Sequence, residues 1–302
     1  MKKLTIFTAP KPFVDAHIAT IQGNAVRSWL QMGPDVEVLL IGEEAGMAEM
    51  ARELGVTHLK GVRRNNRSTP LVSSIFQLAR EAAEADLLLF TNTDMVFFPE
   101  TLEVALSANQ QATECVLLGQ RYDLDVHEPM DFSAGWPQRL GDQVHSRGRL
   151  HPMGGSDYFV FPRPLFACIP DFAIGRAGWD NWMIYHAVTQ GWVTVDATPT
   201  LTVVHQNHGY AHLAGDQGHQ RHPETSDNTK LAGGMRNMYM LLDTTHDLIG
   251  GRICPARWSL PRFLRSVERR LQPNELVGRG PAWWALRYVR KLRRALSHSG
   301  AN

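Results

Sequence analysis

Three places in the chain have residue types and spacings that could do chemistry. Asp94 stands between the apolar run 87-LLLFT-91 and a second apolar patch, Met95 to Phe98. In open α/β sheets, ligands bind beyond the carboxyl ends of the strands. Asp94 is therefore expected at a ligand, where one carboxylate can hold Mg²⁺ or Mn²⁺ beside substrate phosphates. The alternative is a cap on the helix expected near Pro99, but Asp94 comes five residues too early for that. Asp180 opens the stretch 180-DNWMIYHAVTQG-191, which reads as a helix with Asp180 at the N-cap and Gly191 past its end. A helix N-terminus favours an ionised carboxylate by about 0.3–1 kcal/mol, so capping and proton transfer are compatible there. In 201-LTVVHQNHGYAH-212, His205 ends an apolar run and His208 follows; His212, His219 and His222 extend the cluster. Imidazole ligates Mn²⁺-type ions as well as zinc, whereas the plain reading of such a loop is polar surface.

These residues need elements to position them. The first 120 residues alternate strand and helix: 4-LTIFT-8, then a helix from an Asp15 cap to a Gly33 stop, 36-VEVLLI-41, a helix near 45–54, and a weak strand at 57–59. Thr69-Pro70 reads as an N-cap and first helical position, followed by 87-LLLFT-91, an apolar run of the parallel-sheet kind. This order predicts an α/β fold with a Rossmann-like, mostly parallel sheet and helices on both faces. Residues 121–152 are polar and without period, which predicts a long functional loop. Strands are expected at 157–161, 192–196 and 201–205.

The segment 86-DLLLFTNTDMVFFP-99 resembles the aspartate-x-aspartate motif of nucleotide-sugar glycosyltransferases with the GT-A fold, with Asn92 at the first position and Asp94 keeping the acid. Three further segments are similar to that family in the same order: 154-GGSDYFVFPRPLF-166, 178-GWDNWMIYHAVTQGW-192 and the histidine segment after residue 201. The resemblance covers residues 1–210. It implies a family-2-like, inverting hexosyltransferase that uses Mn²⁺ or Mg²⁺, with Asp94, His205 and His208 as metal ligands and Asp180 as general base. It also implies a nucleotide site at Thr8, Ala9, Pro10, Glu43, Asn92 and Asp94, joined by Arg63, Arg64 and Arg67 before Thr69. Gly154, Gly155, Asp157 and Trp179 would face the sugar and acceptor. Trp136 and Trp182 are further candidates for sugar stacking, although core packing is the more usual fate of Trp182. The donor implied is a UDP-sugar, and the acceptor a glycan, a lipid-linked or another hydroxyl. A retaining metal-dependent transferase is one alternative, and a non-catalytic protein that binds sugar nucleotide or membrane is another. A sugar nucleotidyltransferase would want a Gly-rich basic loop after the first strand, which TAPKPF lacks.

The net charge of +1 hides an asymmetry: residues 1–251 carry −9 and residues 252–302 carry +10. The expected organisation is a catalytic domain over 1–215, with a nucleotide half at 1–120 and an acceptor half at 121–215. A C-terminal helical extension with a basic amphipathic tail follows over 216–302. Leu260, Phe263, Leu264, Val267 and Leu271 share one apolar face in the tail; Ala285, Tyr288, Val289, Leu292 and Leu296 share another. Residues 256–296 therefore read either as an anionic-membrane surface or as a hairpin docked on the body, with no nucleic-acid motif. Three cysteines without paired spacing (Cys115, Cys168, Cys254) fit a reducing compartment. The short apolar start is expected to be a strand rather than a signal segment. A cytoplasmic location follows, peripheral at the inner membrane face if the tail binds lipid.

Overall fold

The computed structural model describes residues 1–208, 222–274 and 280–298. In chain order the elements are β1 (Leu4–Thr8), α1 (Ala16–Leu30), β2 (Val36–Ile41), α2 (Met47–Leu54), β3 (Thr57–Leu59), α3 (Val72–Ala82), β4 (Leu87–Thr91), β5 (Met95–Phe97), α4 (Thr101–Gln111), β6 (Cys115–Leu118) and β7 (Tyr122–Leu124). Then come α5 (Trp136–Arg147), β8 (Arg149–Leu150), β9 (Tyr158–Pro162), α6 (Trp179–Thr189), β10 (Val193–Asp196), β11 (Val203–Gln206), α7 (Pro223–Leu231), β12 (His246–Ile249), β13 (Arg252–Pro255), α8 (Leu260–Leu271) and α9 (Pro281–His298).

The near-continuous apolar strands build one large sheet in the order β13-β12-β10-β6-β9-β4-β1-β2-β3. Most pairings are parallel; β9 runs antiparallel between β4 and β6, and β13 is an antiparallel edge. Strands β1 and β4 are buried along their whole length, as expected for strands covered on both faces. One face packs on α1, α2 and α4 through residues such as Trp29, Met47 and Ala105. The other packs on α3 and α6 through Phe76, Trp182 and Met183. The expected α/β class, with a mostly parallel sheet and helices on both faces, is what the chain forms.

The acid between two apolar segments has a structural explanation. The chain leaves the large sheet at Thr91 and enters a second, four-stranded sheet at Met95, ordered β5-β11-β7-β8. Asp94 occupies the crossing. The register of the small sheet sets His205 opposite Met95 on one side and Asp123 on the other. Gln206 locks the crossing, since its backbone N–H donates to Asp94 O at 3.0 Å and its side chain donates to Ile21 O in α1 at 2.8 Å.

Several expectations change. Thr69-Pro70 does not cap a helix: Arg64 and Pro70 form an isolated bridge, and α3 starts at Val72 after Leu71, with no side-chain cap. Pairing of the approach segment overrides the local cap signal. Residues 121–152 are not one loop but β7, α5 and β8, with Trp136, Leu140 and Val144 of α5 buried against the small sheet. Asp180 is not the N-cap of α6; Gly178 is, at φ 107°, and Asp180 lies in the first turn. The division at 215 does not end the sheet, because β12 and β13 complete it beyond β10. Among the described residues, no helix is long and apolar enough to cross a membrane.

Candidate active site

The carboxyl ends of the central strands open into a cleft of about 650 Å³. Asp94, His205 and His208 meet on its wall, with one potential ligand atom from each lying within 4.8 Å of the others. Asp94 Oδ2 is 3.0 Å from His208 Nε2 and 3.8 Å from His205 Nε2. Asp94 Oδ1 is buried with no hydrogen-bond partner among the described residues. Burial alone would raise the Asp94 pKa, but the His208 hydrogen bond, His205 and Lys11 outweigh it and hold the group well below the usual carboxylate range. One carboxylate and two imidazoles form a donor set suited to Mn²⁺-type ions, and the orphaned oxygen gives such an ion a further acceptor. These residues therefore fit a divalent cation.

A second layer holds this group in place. His205 Nδ1 lies 3.1 Å from Asp123 Oδ1, a close polar contact off the line of a hydrogen bond. Asp123 also meets His151 Nδ1 at 2.7 Å and accepts from Arg121 Nε at 3.0 Å. Despite burial, these three partners keep the Asp123 pKa far below its ordinary value. Arg121 continues to Asp157, which accepts from Asn92 Nδ2 at 2.8 Å. Asn92, at the position where the resemblance places a first acid, is thus a donor to Asp157. Asp157 is committed to Arg121 and Asn92 within the cleft wall.

Asp180 lies across the cleft. Gly178 frees the start of α6 by its left-handed backbone, and Gly155 makes room for the carboxylate, since a Cβ there would collide with Asp180 Oδ2. The residue is half-buried. Burial raises its pKa more than the N–H groups of Asn181, Gly178, Asp180 and Ser156 lower it. Gly155 is therefore a platform for Asp180, while Gly154 faces open space.

The other sequence candidates divide. Ala9, Pro10, Asn92 and Trp179 line the cleft; Thr8 lies buried beside it, its hydroxyl 2.7 Å from that of Thr93. Trp179 also packs edge-on against Phe90, with ring centroids 5.1 Å apart. Glu43 is exposed and does not line the cleft; its neighbour Glu44 does, accepting from Arg64 at 2.8 Å. Arg63 and Arg67 also stay outside it, paired with Asp171 and Asp227. Trp136 stacks on Phe98 in the core of the small sheet, and Trp182 stacks on His186 in the large-sheet core. His222 caps α7; His212 and His219 lie outside the described residues. Sequence reasoning missed Lys11, Glu44, Arg121, Asp123 and Arg176. A spacing signal was available for two of them, since Arg121 and Asp123 are two apart at the start of a short strand, and Arg121 Nε donates to Asp123 Oδ1.

No protein-family model matches the chain, and no curated protein matches it. Among solved structures, it is similar to glucosyl-3-phosphoglycerate synthase from Mycobacterium tuberculosis. Against the complex with Mn²⁺, uridine diphosphate and phosphoglyceric acid, identity is 12% over 85% of this chain and 87% of that chain, with a TM-score of 0.48. Against the complex with Mn²⁺, UDP-glucose and phosphoglyceric acid, identity is 14% over 86% and 88%, with a TM-score of 0.47. Against the complex with Mg²⁺ and UDP, it is 13% over 70% and 74%, with a TM-score of 0.43. What the cleft can do follows from its own side chains.

Proposed function

We propose that the chain is a GT-A type glycosyltransferase that moves a sugar from a nucleoside-diphosphate donor to a hydroxyl acceptor with inversion. The observation that carries this reading is one cleft lined both by Asp94, His205 and His208, a group that could hold a metal ion, and by the half-buried carboxylate of Asp180. A divalent cation bound by the first group would supply Lewis-acid neutralisation of the diphosphate leaving group, an effect of several kcal/mol. Ala9 and Pro10 bound the space for the nucleoside. Asp180 accepts the proton of the acceptor hydroxyl as that oxygen bonds to the anomeric carbon. The bond from that carbon to the phosphate oxygen breaks, and the nucleoside diphosphate leaves with its electron pair. A carboxylate with a raised pKa is the better base for this step.

A second reading has its own observation. Lys11 Nζ lies 3.2 Å from His208 Nε2 and is half-buried near Asp94. It can neutralise phosphate as a point charge, which suits a metal-independent transferase. Thermal shifts with UDP, GDP, CMP and dTDP, each with and without Mn²⁺, separate the two readings. Binding at a hundredfold excess over Kd stabilises the fold by about 2.7 kcal/mol. A shift that needs both UDP and Mn²⁺ is the expected result. A shift indifferent to Mn²⁺ selects Lys11, and no shift with any nucleotide removes the transferase reading.

A further inference from the structure

The C-terminal hairpin, α8 and α9, docks by its charged residues. Arg262 donates to Asp247 at 2.7 Å and Arg265 to Asp243 at 2.8 Å. Within the hairpin, Arg290 and Arg293 of α9 each donate to Glu268 of α8 at 2.7 Å. With the arginines turned inward, much of the apolar surface is left outside. Trp258 is 78% exposed, Phe263 49%, Trp284 66%, Tyr288 71% and Leu292 41%.

The outward side of α9 has an order of its own. Trp284, Tyr288 and Leu292 recur every four residues and form one stripe. Arg287 and Lys291 border it, both exposed, with the Arg287 guanidinium 5.3 Å from the Trp284 ring centroid. Neither makes an ion pair among the described residues, and residues 281–298 contain no acid. A stripe of Trp, Tyr and Leu edged with Arg and Lys has the composition of a helix lying in a bilayer interface. Protein interfaces share the enrichment in Trp, Tyr and Arg but are depleted of Lys, and a basic helix without an acid complements an anionic surface.

We infer that the outward face of this hairpin is a docking surface for an anionic lipid bilayer, with Trp284, Tyr288 and Leu292 entering the interface and Arg287 and Lys291 meeting lipid phosphates. The inference is independent of the transferase reading.

The test is flotation of the full chain with two kinds of vesicle, pure phosphatidylcholine and phosphatidylcholine with about one-third phosphatidylserine. The expected result is co-flotation with the anionic vesicles and little with the neutral ones. The Arg287→Gln/Lys291→Gln variant should bind about thirtyfold more weakly, from two basic residues at the membrane surface. The Trp284→Ser/Tyr288→Ser/Leu292→Ser variant should not float, while keeping the circular dichroism of the parent. Absence of flotation with anionic vesicles overturns the inference, as does binding that neither variant weakens. A dimer in sedimentation that the serine variant dissociates also overturns it, and assigns the face to a second copy of the chain.

Discussion

The cleft and the hairpin dock both bury carboxylates among cations, yet they finish the job differently. Between the two helices of the hairpin, Glu268 has 2% of its side chain exposed and each of its oxygens accepts from an arginine. Asp243 is equally enclosed, accepting from Arg265 and from the Met240 N–H. In the cleft, Asp94 Oδ1 has no partner among the described residues, and burial of Asp180 prevails over its backbone donors. Buried polar groups in folded proteins are normally satisfied, so saturated charge reads as architecture and unsaturated charge as a place prepared for something else.

The largest test of that contrast is Asp180→Asn. It should lower the transfer rate by about 10²–10⁴-fold, the usual range for a general base, with the donor KM little changed. Steady-state kinetics decides it, and equal loss of donor binding would make Asp180 structural. Next comes a matched pair of substitutions read by chemical denaturation. Glu268→Ala should cost about 3–5 kcal/mol, because Arg265 and Arg293 are left buried, and Arg290 half-buried, around a missing charge. Asp94→Asn should cost less, because the amide keeps the side chain's shape and can still hydrogen-bond His208, while removing the Mn²⁺-dependent thermal shift. Equal destabilisation by the two would erase the distinction between architecture and site.

The two regions also part on acidification. Burial raises the Asp180 pKa, and only its ionised form accepts a proton. Transfer should therefore fall as pH drops through a value above the ordinary carboxylate pKa. For Glu268, burial acts upward, but Arg265, Arg293 and Arg290 prevail and hold it below its ordinary value. Its contribution to stability is full above the unfolded pKa and is lost only as pH falls through the lower folded one. Activity should disappear on acidification while the hairpin is still docked. A rate profile set beside a circular-dichroism melt at each pH checks the order of the two events.

How far the sequence could be read follows the range of the forces involved. Strands β1, β2 and β4 announce themselves because burial on both faces writes a local apolar run. Asp94, His205 and His208 were legible because each follows or ends such a run. Helix α5 was hidden: Trp136, Leu140 and Val144 do recur at helical spacing, but Gly, Pro and His around them mask the period. The Asp123–Arg121–Asp157 network was hidden for another reason. It exists only once β7, β9 and β11 are brought together, and that pairing is non-local. The tail showed its amphipathic period but not which side would turn inward, because that depends on the acids Asp243 and Asp247, which meet it from outside the hairpin.

The smallest expected effect tests the outer edge of the cleft. Arg63, Arg64 and Arg67 look alike in sequence, a basic run before Thr69. In the fold only Arg64 turns into the cleft, with 29% of its side chain exposed and Glu44 as its partner. Arg67 is 47% exposed and pairs with an equally exposed Asp227. Exposed pairs of that kind are typically worth about 0–1 kcal/mol. Arg67→Ala should shift the melting temperature barely and leave the nucleotide-induced shift intact, whereas Arg64→Ala should reduce the nucleotide-induced shift. If Arg67→Ala abolishes that shift instead, the loop carrying it must reach the nucleotide when ligand binds. The cleft wall would then extend past Arg64, and Arg67 would belong with the prepared charges rather than with the surface.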